Sequence, residues 1–195
     1  MMSRKGILFV ISGPSGVGKG TLRGKLMETP DEGLIYSISA TTRKPRPGEI
    51  EGRDYFFTDA ETFESLIASG ELLEWAVVYN NYYGTPKKFV LDNLEKGIDV
   101  LLEIDIQGAL KIKNAFPDGV FIFILPPSVE ELGKRLNARG KDSQLEIERR
   151  LACYEQEIAH LHQYDYAVVN DNVLDAVDKI RAIITAERCR VRRMQ

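Results

Sequence analysis

From Gly13 to Thr21 the sequence reads Gly13-Pro14-Ser15-Gly16-Val17-Gly18-Lys19-Gly20-Thr21. Glycines spaced in this way let the backbone turn its N–H groups inward on an anion, and a following helix adds its positive N-terminal end. Lys19 supplies a mobile charge for the β and γ phosphates of a bound nucleotide. The run departs from the usual phosphate-loop form at Gly20, which stands where a serine or threonine normally offers a hydroxyl to a phosphate-bound metal. Thr21 is then the nearest hydroxyl.

A second anion site is written farther on. Arg43 and Arg46 lie three apart around Pro45, and Tyr55 follows nine residues later. Guanidinium groups match phosphate oxygens with paired N–H donors and a phenol adds one more, which makes a clamp for another phosphate. Arg135 and Arg139 are four apart and share a helix face, while Arg149 and Arg150 open the next helix after the break Gly140-Lys141-Asp142. Asp105 ends the apolar run Val100 to Ile104, where the carboxyl edge of a parallel sheet presents side chains to ligands. Glu103 is a weaker candidate for the same work.

These residues need a scaffold. Gly6 to Ser12, Val100 to Ile104, Val120 to Leu125 and, more weakly, Tyr166 to Val169 are apolar runs without alternation, as strands buried on both faces require. Helical spacing separates them: Leu22 and Leu26, then Ile147, Leu151, Tyr154, Ile158 and Leu161 on one face. Ser128 with Glu131 and Ser143 with Glu146 form capping-box patterns. The alternation implies an α/β fold, a parallel sheet covered by helices. From about Ser37 to Tyr83 the rhythm breaks into polar, aromatic and proline-rich sequence, which reads as an insertion with its own small sheet.

With 195 residues, one core and an inserted subdomain are expected. A net charge of −3 argues against a general nucleic-acid binder, so anion recognition is local. The sequence has no apolar run long enough to span a bilayer, and MMSRKGILFVIS runs straight into the glycine loop as a strand rather than a signal peptide. Cys153 and Cys189 have neither metal-ligand spacing nor an evident pairing, which fits free thiols in a reducing cytosol. His160 and His162 fall on a helical segment away from the motifs, with structural or surface roles expected.

The motifs ISGPSGVGKGTL, SATTRKPRPGE, GRDYFF, LLEWA, NYYGT, LLEIDIQGA, PPSVEEL and RLNARG together resemble the guanylate kinase family, in its order and over essentially the whole chain. The resemblance implies the fold of a phosphate-loop nucleoside monophosphate kinase. It has an ATP-binding core at 1–36 and 86–195 with a helical lid at about 137–150, and a GMP-binding α+β insertion at 37–85. It implies transfer of the γ-phosphoryl group of Mg-ATP to GMP, and to dGMP, in the cytoplasm. The GMP phosphate would meet Arg43, Arg46, Tyr55 and Tyr83, and guanine would be read by Ser39, Glu74 and Thr85 with Asp105 nearby. A carboxylate beside a hydroxyl complements the N1–H and amine donors of guanine. Arg135, Arg139 and Arg150 would close over the transferring group, and Asn170 resembles the adenine-side loop. Asp105 could order water around magnesium, touch guanine or position an arginine; Thr21 is the other candidate near the metal. Neither nucleic acid nor membrane is an expected partner, and a homo-oligomer is compatible with the sequence. The rival readings are a catalytically silent phosphopeptide-binding module of the same fold and a kinase for another phosphorylated acceptor.

Overall fold

The structure is a computed structural model that describes residues 4–29, 31, 33–138 and 144–193, with 138 and 144–150 as backbone only. The chain opens with β1 (Leu8–Ser12), α1 (Lys19–Met27), β2 (Leu34–Tyr36), β3 (Ala40–Thr41) and β4 (Phe56–Phe57). Then come α2 (Ala60–Ala68), β5 (Leu72–Val78), β6 (Asn81–Pro86), α3 (Lys87–Glu95), β7 (Asp99–Glu103) and α4 (Ile106–Ala115). It continues through β8 (Val120–Leu125), α5 (Val129–Ala138), α6 (Gln144–Ile158), β9 (Tyr166–Val169) and α7 (Val173–Arg188).

Five strands form a parallel sheet in the order β2-β7-β1-β8-β9. Side chains of β1 alternate between two apolar cores, Phe9 and Ile11 on one face and Leu8 and Val10 on the other, so the strand is buried on both sides without alternating in polarity. The first core packs α1, α5 and α7; the second packs α3 and α4. β1 lies between β7 and β8, with β2 and β7 on one side and β8 and β9 on the other, so the chain changes sides at β1 and a crevice opens at its carboxyl end. The expected apolar runs all appear as strands, while the three-residue β2 carries no periodicity long enough to read.

Residues of the interrupted segment build a second sheet, β4-β3-β6-β5, with β3 and β4 parallel and the other pairs antiparallel. Tyr79 (φ 48°) and Asn80 (φ 63°) join β5 to β6. Two left-handed residues in a two-residue hairpin loop match the right-handed twist of the flanking strands.

Ser128 Oγ accepts from the Glu131 N–H at 3.2 Å and so caps α5. The Ser143–Glu146 pattern lies outside the described residues. Leu151 and Tyr154 pack against the first core as their spacing requires, but α6 ends at Ile158 and Leu161 belongs to a separate 3-10 turn, Leu161–Gln163. Much of the C-terminal basic run is paired within the molecule. Arg188 reaches Asp99 (2.7 Å) and Asp31 (2.8 Å), and Arg190 and Arg193 reach the buried Glu187. Asp99, fully buried, also takes Arg4 and the Ile7 N–H, so its desolvated carboxylate is well compensated.

Candidate active site

The phosphate loop leaves the central strand at Ser12 and enters α1 at Lys19. Gly18 caps that helix at φ 93°, a conformation that side chains disfavour, and a Cβ there would lie 2.6 Å from Asn170 Nδ2. The reason is a crossing contact: Asn170 Nδ2 donates to the Val17 carbonyl at 2.7 Å and draws the end of β9 onto the loop. Asn170 Oδ1 is buried without a hydrogen-bond partner among the described residues. Lys19 curls over the loop, its Nζ donating to the Gly13 and Pro14 carbonyls. Thr21 is exposed to the crevice, and the hydrogen face of Gly20 looks toward the Glu103 carboxylate, 3.6 Å from where a Cβ would stand.

Gly13, Ser15, Gly16, Gly18, Lys19, Gly20 and Thr21 line one wall of a cavity of about 780 Å³, and Ser39, Arg46, Tyr55, Glu74 and Tyr83 line the facing wall. Glu103 and Asp105 lie between them at the edge of the parallel sheet. The candidates for two separate anions therefore share one space. Pro14, Val17, Asn170 and Thr85 do not line the cavity; Val17, Asn170 and Thr85 are buried beneath its walls.

Arg43 stands back from the cavity. Its guanidinium grips Glu49 through two 2.9 Å hydrogen bonds, donates from Nε to the Tyr83 hydroxyl at 3.1 Å, and lies 5.3 Å from the centre of the Tyr55 ring. Burial works against the Glu49 charge, but the hydrogen bonds from Arg43 and from the Arg46 N–H hold its carboxyl below the usual range. Burial and the nearby Glu103 and Tyr83 push the Tyr55 phenol up to about 12, so it remains a donor.

Glu74 is 7% exposed and sits in β5 opposite Thr85 of β6, whose hydroxyl donates to it at 2.8 Å. Burial pushes the Glu74 carboxyl up to about 7; Thr85 opposes the shift and the negative Asp105 adds to it. Asp105 caps α4, its Oδ1 accepting from the Gly108 N–H at 3.0 Å, and burial raises it as well, against that hydrogen bond and the charge of Lys19. Gly108 has to be glycine for this packing, since a Cβ would come within 2.6 Å of Glu74 Oε2 and 3.0 Å of Asp105 Oδ1.

Arg135 lies behind the loop, donating to the Asn170 carbonyl at 2.9 Å and from Nε to Glu131 at 3.1 Å. Arg139 lies outside the described residues, as do the side chains of Arg149 and Arg150. One expectation is corrected: His160 lines the cavity, together with Cys153, Gln156 and Glu157 of α6. The 3.6-residue period that signals α6 marks its apolar face, and the polar positions turned to the crevice carry no motif. Arg23 is a further site residue that the motifs do not single out. It ion-pairs with Glu103 at 3.1 Å, approaches Asp54 at 3.9 Å and covers the Tyr36 ring. Its place in the turn after Lys19 is the available signal.

The described residues hold no cluster of three or more His, Cys, Asp or Glu that would cage a metal. The oxygen groups of Thr21, Glu103 and Asp105 along the cavity suit a hard cation held mainly by phosphates and water, the manner in which magnesium is usually bound. Both cysteines are free. No helix of the described chain is long and apolar enough to cross a membrane.

Comparison with known proteins adds independent findings. The family profile described as Guanylate kinase matches residues 5–187. A guanylate kinase of Syntrophomonas wolfei is 58% identical over 193 residues, covering 99% of this chain and 98% of that one. One from Caldanaerobacter subterraneus is 57% identical over 192 residues, covering 98% and 93%. The crystal structure of guanylate kinase from Anaplasma phagocytophilum superposes with a TM-score of 0.84 at 39% identity, over 99% of this chain and 92% of that one.

Proposed function

The chain belongs to the guanylate kinase family and is an enzyme that transfers the γ-phosphoryl group of ATP to GMP, and on that premise we propose how its residues divide the work. Residues 1–36 and 86–195 bind ATP, with the lid at about 137–150, and residues 37–85 bind GMP. The observation that carries this division is the single cavity with the phosphate loop on one wall and Arg46, Tyr55, Tyr83, Ser39 and Glu74 on the other.

ATP lies on the loop, its phosphates on the N–H groups from Gly13 to Thr21 and on Lys19, which leaves its carbonyl partners for the β and γ oxygens. The unpartnered Oδ1 of Asn170 supports an adenine-side role. GMP enters with its phosphate toward Arg46, Tyr55 and Tyr83. Arg43 joins them when the phosphate competes with Glu49 for its guanidinium. Glu74, with Thr85 and Ser39, accepts from guanine N1–H and the exocyclic amine, while adenine lacks that pair of donors. The 2-deoxy nucleotide is accepted too, since none of these contacts uses the 2′-hydroxyl.

A phosphate monoester with a second pKa near 6 is already largely ionised at neutral pH, so no general base is needed. A GMP phosphate oxygen bonds to the γ-phosphorus as the bond to the β-bridging oxygen breaks, and ADP and GDP result. Lys19, Arg43, Arg46 and the lid arginines Arg135, Arg139 and Arg150 relieve the repulsion between the two anions and hold them in line. Thr21, Asp105 and Glu103 are the residues that would hold magnesium, through their oxygens or through water, and the ion would supply further positive charge against the same repulsion. The free thiols support a reducing, cytoplasmic setting.

An acceptor screen tests the reading. ADP release is followed by a coupled assay with GMP, dGMP, AMP, UMP and ribose 5-phosphate. Turnover with GMP and dGMP far above the other three is expected, and equal turnover with AMP would overturn the assignment of base recognition.

A further inference from the structure

The first two turns of α4 do more than cap themselves. The helix packs along β5 with Gly108 against the Glu74 carboxylate, and Lys111 follows one turn later on the same face. Lys111 Nζ donates to the main-chain carbonyl of Trp75, the residue after Glu74, and lies 4.9 Å from the centre of the Trp75 ring. A cation over an indole face is held there by the ring quadrupole, and here the same ammonium also binds the strand backbone. Helix and strand are thus pinned to each other beside the carboxylate.

We propose that Lys111 is a positioning residue for base recognition: it pins β5 to α4 so that the Glu74 carboxylate faces the guanine, and it places a positive charge beside that carboxylate. The proposal rests on the reading of Glu74 as the guanine acceptor. Three groups besides burial act on Glu74 from the elements packed against it: Thr85 of β6 by hydrogen bond, Asp105 of α4 by negative charge, and Lys111 of α4 by positive charge. Lys19 acts in turn on Asp105 from the phosphate loop. Guanine needs a charged acceptor, and Asp105 and burial both disfavour one. Lys111 is the cation that opposes them. Its head is exposed, so its effect is modest and falls with added salt.

The test compares Lys111→Met, Lys111→Arg, Glu74→Gln and the double variant with the parent, measuring GMP dissociation constants by calorimetry from pH 6 to 8.5. Taking each variant as a ratio to the parent at the same pH cancels the titration of GMP itself. Lys111→Met should weaken GMP about threefold or more near pH 6.5, where the lost charge and the lost pin both act, and less at pH 8.5, where only the lost pin between β5 and α4 is felt. Lys111→Arg should stay close to the parent throughout, and affinity for an ATP analogue should not move. In the Glu74→Gln background the Lys111→Met effect should vanish. A Lys111→Met curve that overlays the parent at every pH, or a loss that persists in full in the Glu74→Gln background, would overturn the proposal. If Glu74→Gln alone binds GMP as the parent does, it is the reading of Glu74 that fails first.

Discussion

Thr85 and Glu74 share a hydrogen bond of 2.8 Å across neighbouring antiparallel strands, with the threonine fully buried and the carboxylate nearly so. The hydroxyl proton is committed to Glu74 Oε1, which orients the carboxylate and leaves the threonine oxygen able to accept. A buried acid held in this way is prepared for two donors on one ligand edge.

Glu74→Gln keeps the shape but turns one acceptor into a donor. Removing the partner of a buried, charge-assisted bond costs about 2–5 kcal/mol, roughly thirty-fold to several thousand-fold. The loss should fall on kcat/KM for GMP and narrow the preference for GMP over AMP, with the KM for ATP little changed. Steady-state kinetics with both acceptors check this, and parental values for both would remove Glu74 from base recognition.

The elevated midpoint of Glu74, about 7 against an ordinary 4.5, links the site to pH. Between those values the folded, unliganded protein holds a proton that the unfolded chain releases. Its stabilising contribution is therefore fully present below about pH 4.5 and is lost as pH rises through 7, up to about 3 kcal/mol in all. Thermal melts of parent and Glu74→Gln should show the glutamine variant gaining on the parent between pH 5 and pH 8. A constant difference would contradict the assignment. GMP affinity should run the other way, weakening about tenfold from pH 8 to pH 6 as the acceptor protonates.

Lys19→Ala removes the mobile charge from the loop. Loss of one preorganised electrostatic group at a reacting centre typically costs about 10²–10³ in turnover. The thermal midpoint should stay close to that of the parent, because the hydrogen bonds from Lys19 to the Gly13 and Pro14 carbonyls lie within the loop and hold no part of the apolar cores. Turnover within threefold of the parent would show that the lysine is not at the phosphates.

Gly108→Ala crowds the two carboxylates. The gain in helix preference is at most about 1 kcal/mol, while overpacking a buried contact costs about 1–3 kcal/mol, so the melting temperature should fall modestly. The added methyl meets the Glu74 and Asp105 carboxylates and should turn them, raising the KM for GMP about tenfold or more while sparing ATP. Melting and kinetics on the same preparation test both halves.

The phosphate loop is legible in the sequence because its chemistry is contiguous: strand, glycines, lysine and helix follow one another. Strands β1, β7 and β8 are legible because burial on both faces leaves no polar position to interrupt the run. Glu74 and Thr85 are different. They are eleven residues apart, and only the hairpin through Tyr79 and Asn80 makes them neighbours, so the family pattern identifies them and spacing does not. Arg43 reads as an open clamp: Pro47-Gly48 announces a turn, but nothing in the residue types says that the turn brings Glu49 onto the Arg43 guanidinium. His160 and Glu157 resemble helix surface in the sequence because a crevice-facing polar position looks like a solvent-facing one until a second wall is placed opposite.

Asp99 receives Arg4 from the start of the chain and Arg188 from the end of α7 on a single buried carboxylate. The two extremities are thereby stitched side by side at the amino edge of the sheet, on the far side from the crevice. A short polar bridge between them, with new ends opened in the exposed turn at Tyr79-Asn80 or between α3 and β7, should yield a circularly permuted chain that still assembles the same sheet. The opening at Gly97 would leave catalysis intact, whereas the opening at Tyr79 would free β5 from β6 and weaken the acceptor site, turning one rearranged gene into a probe of how far the two sheets depend on each other.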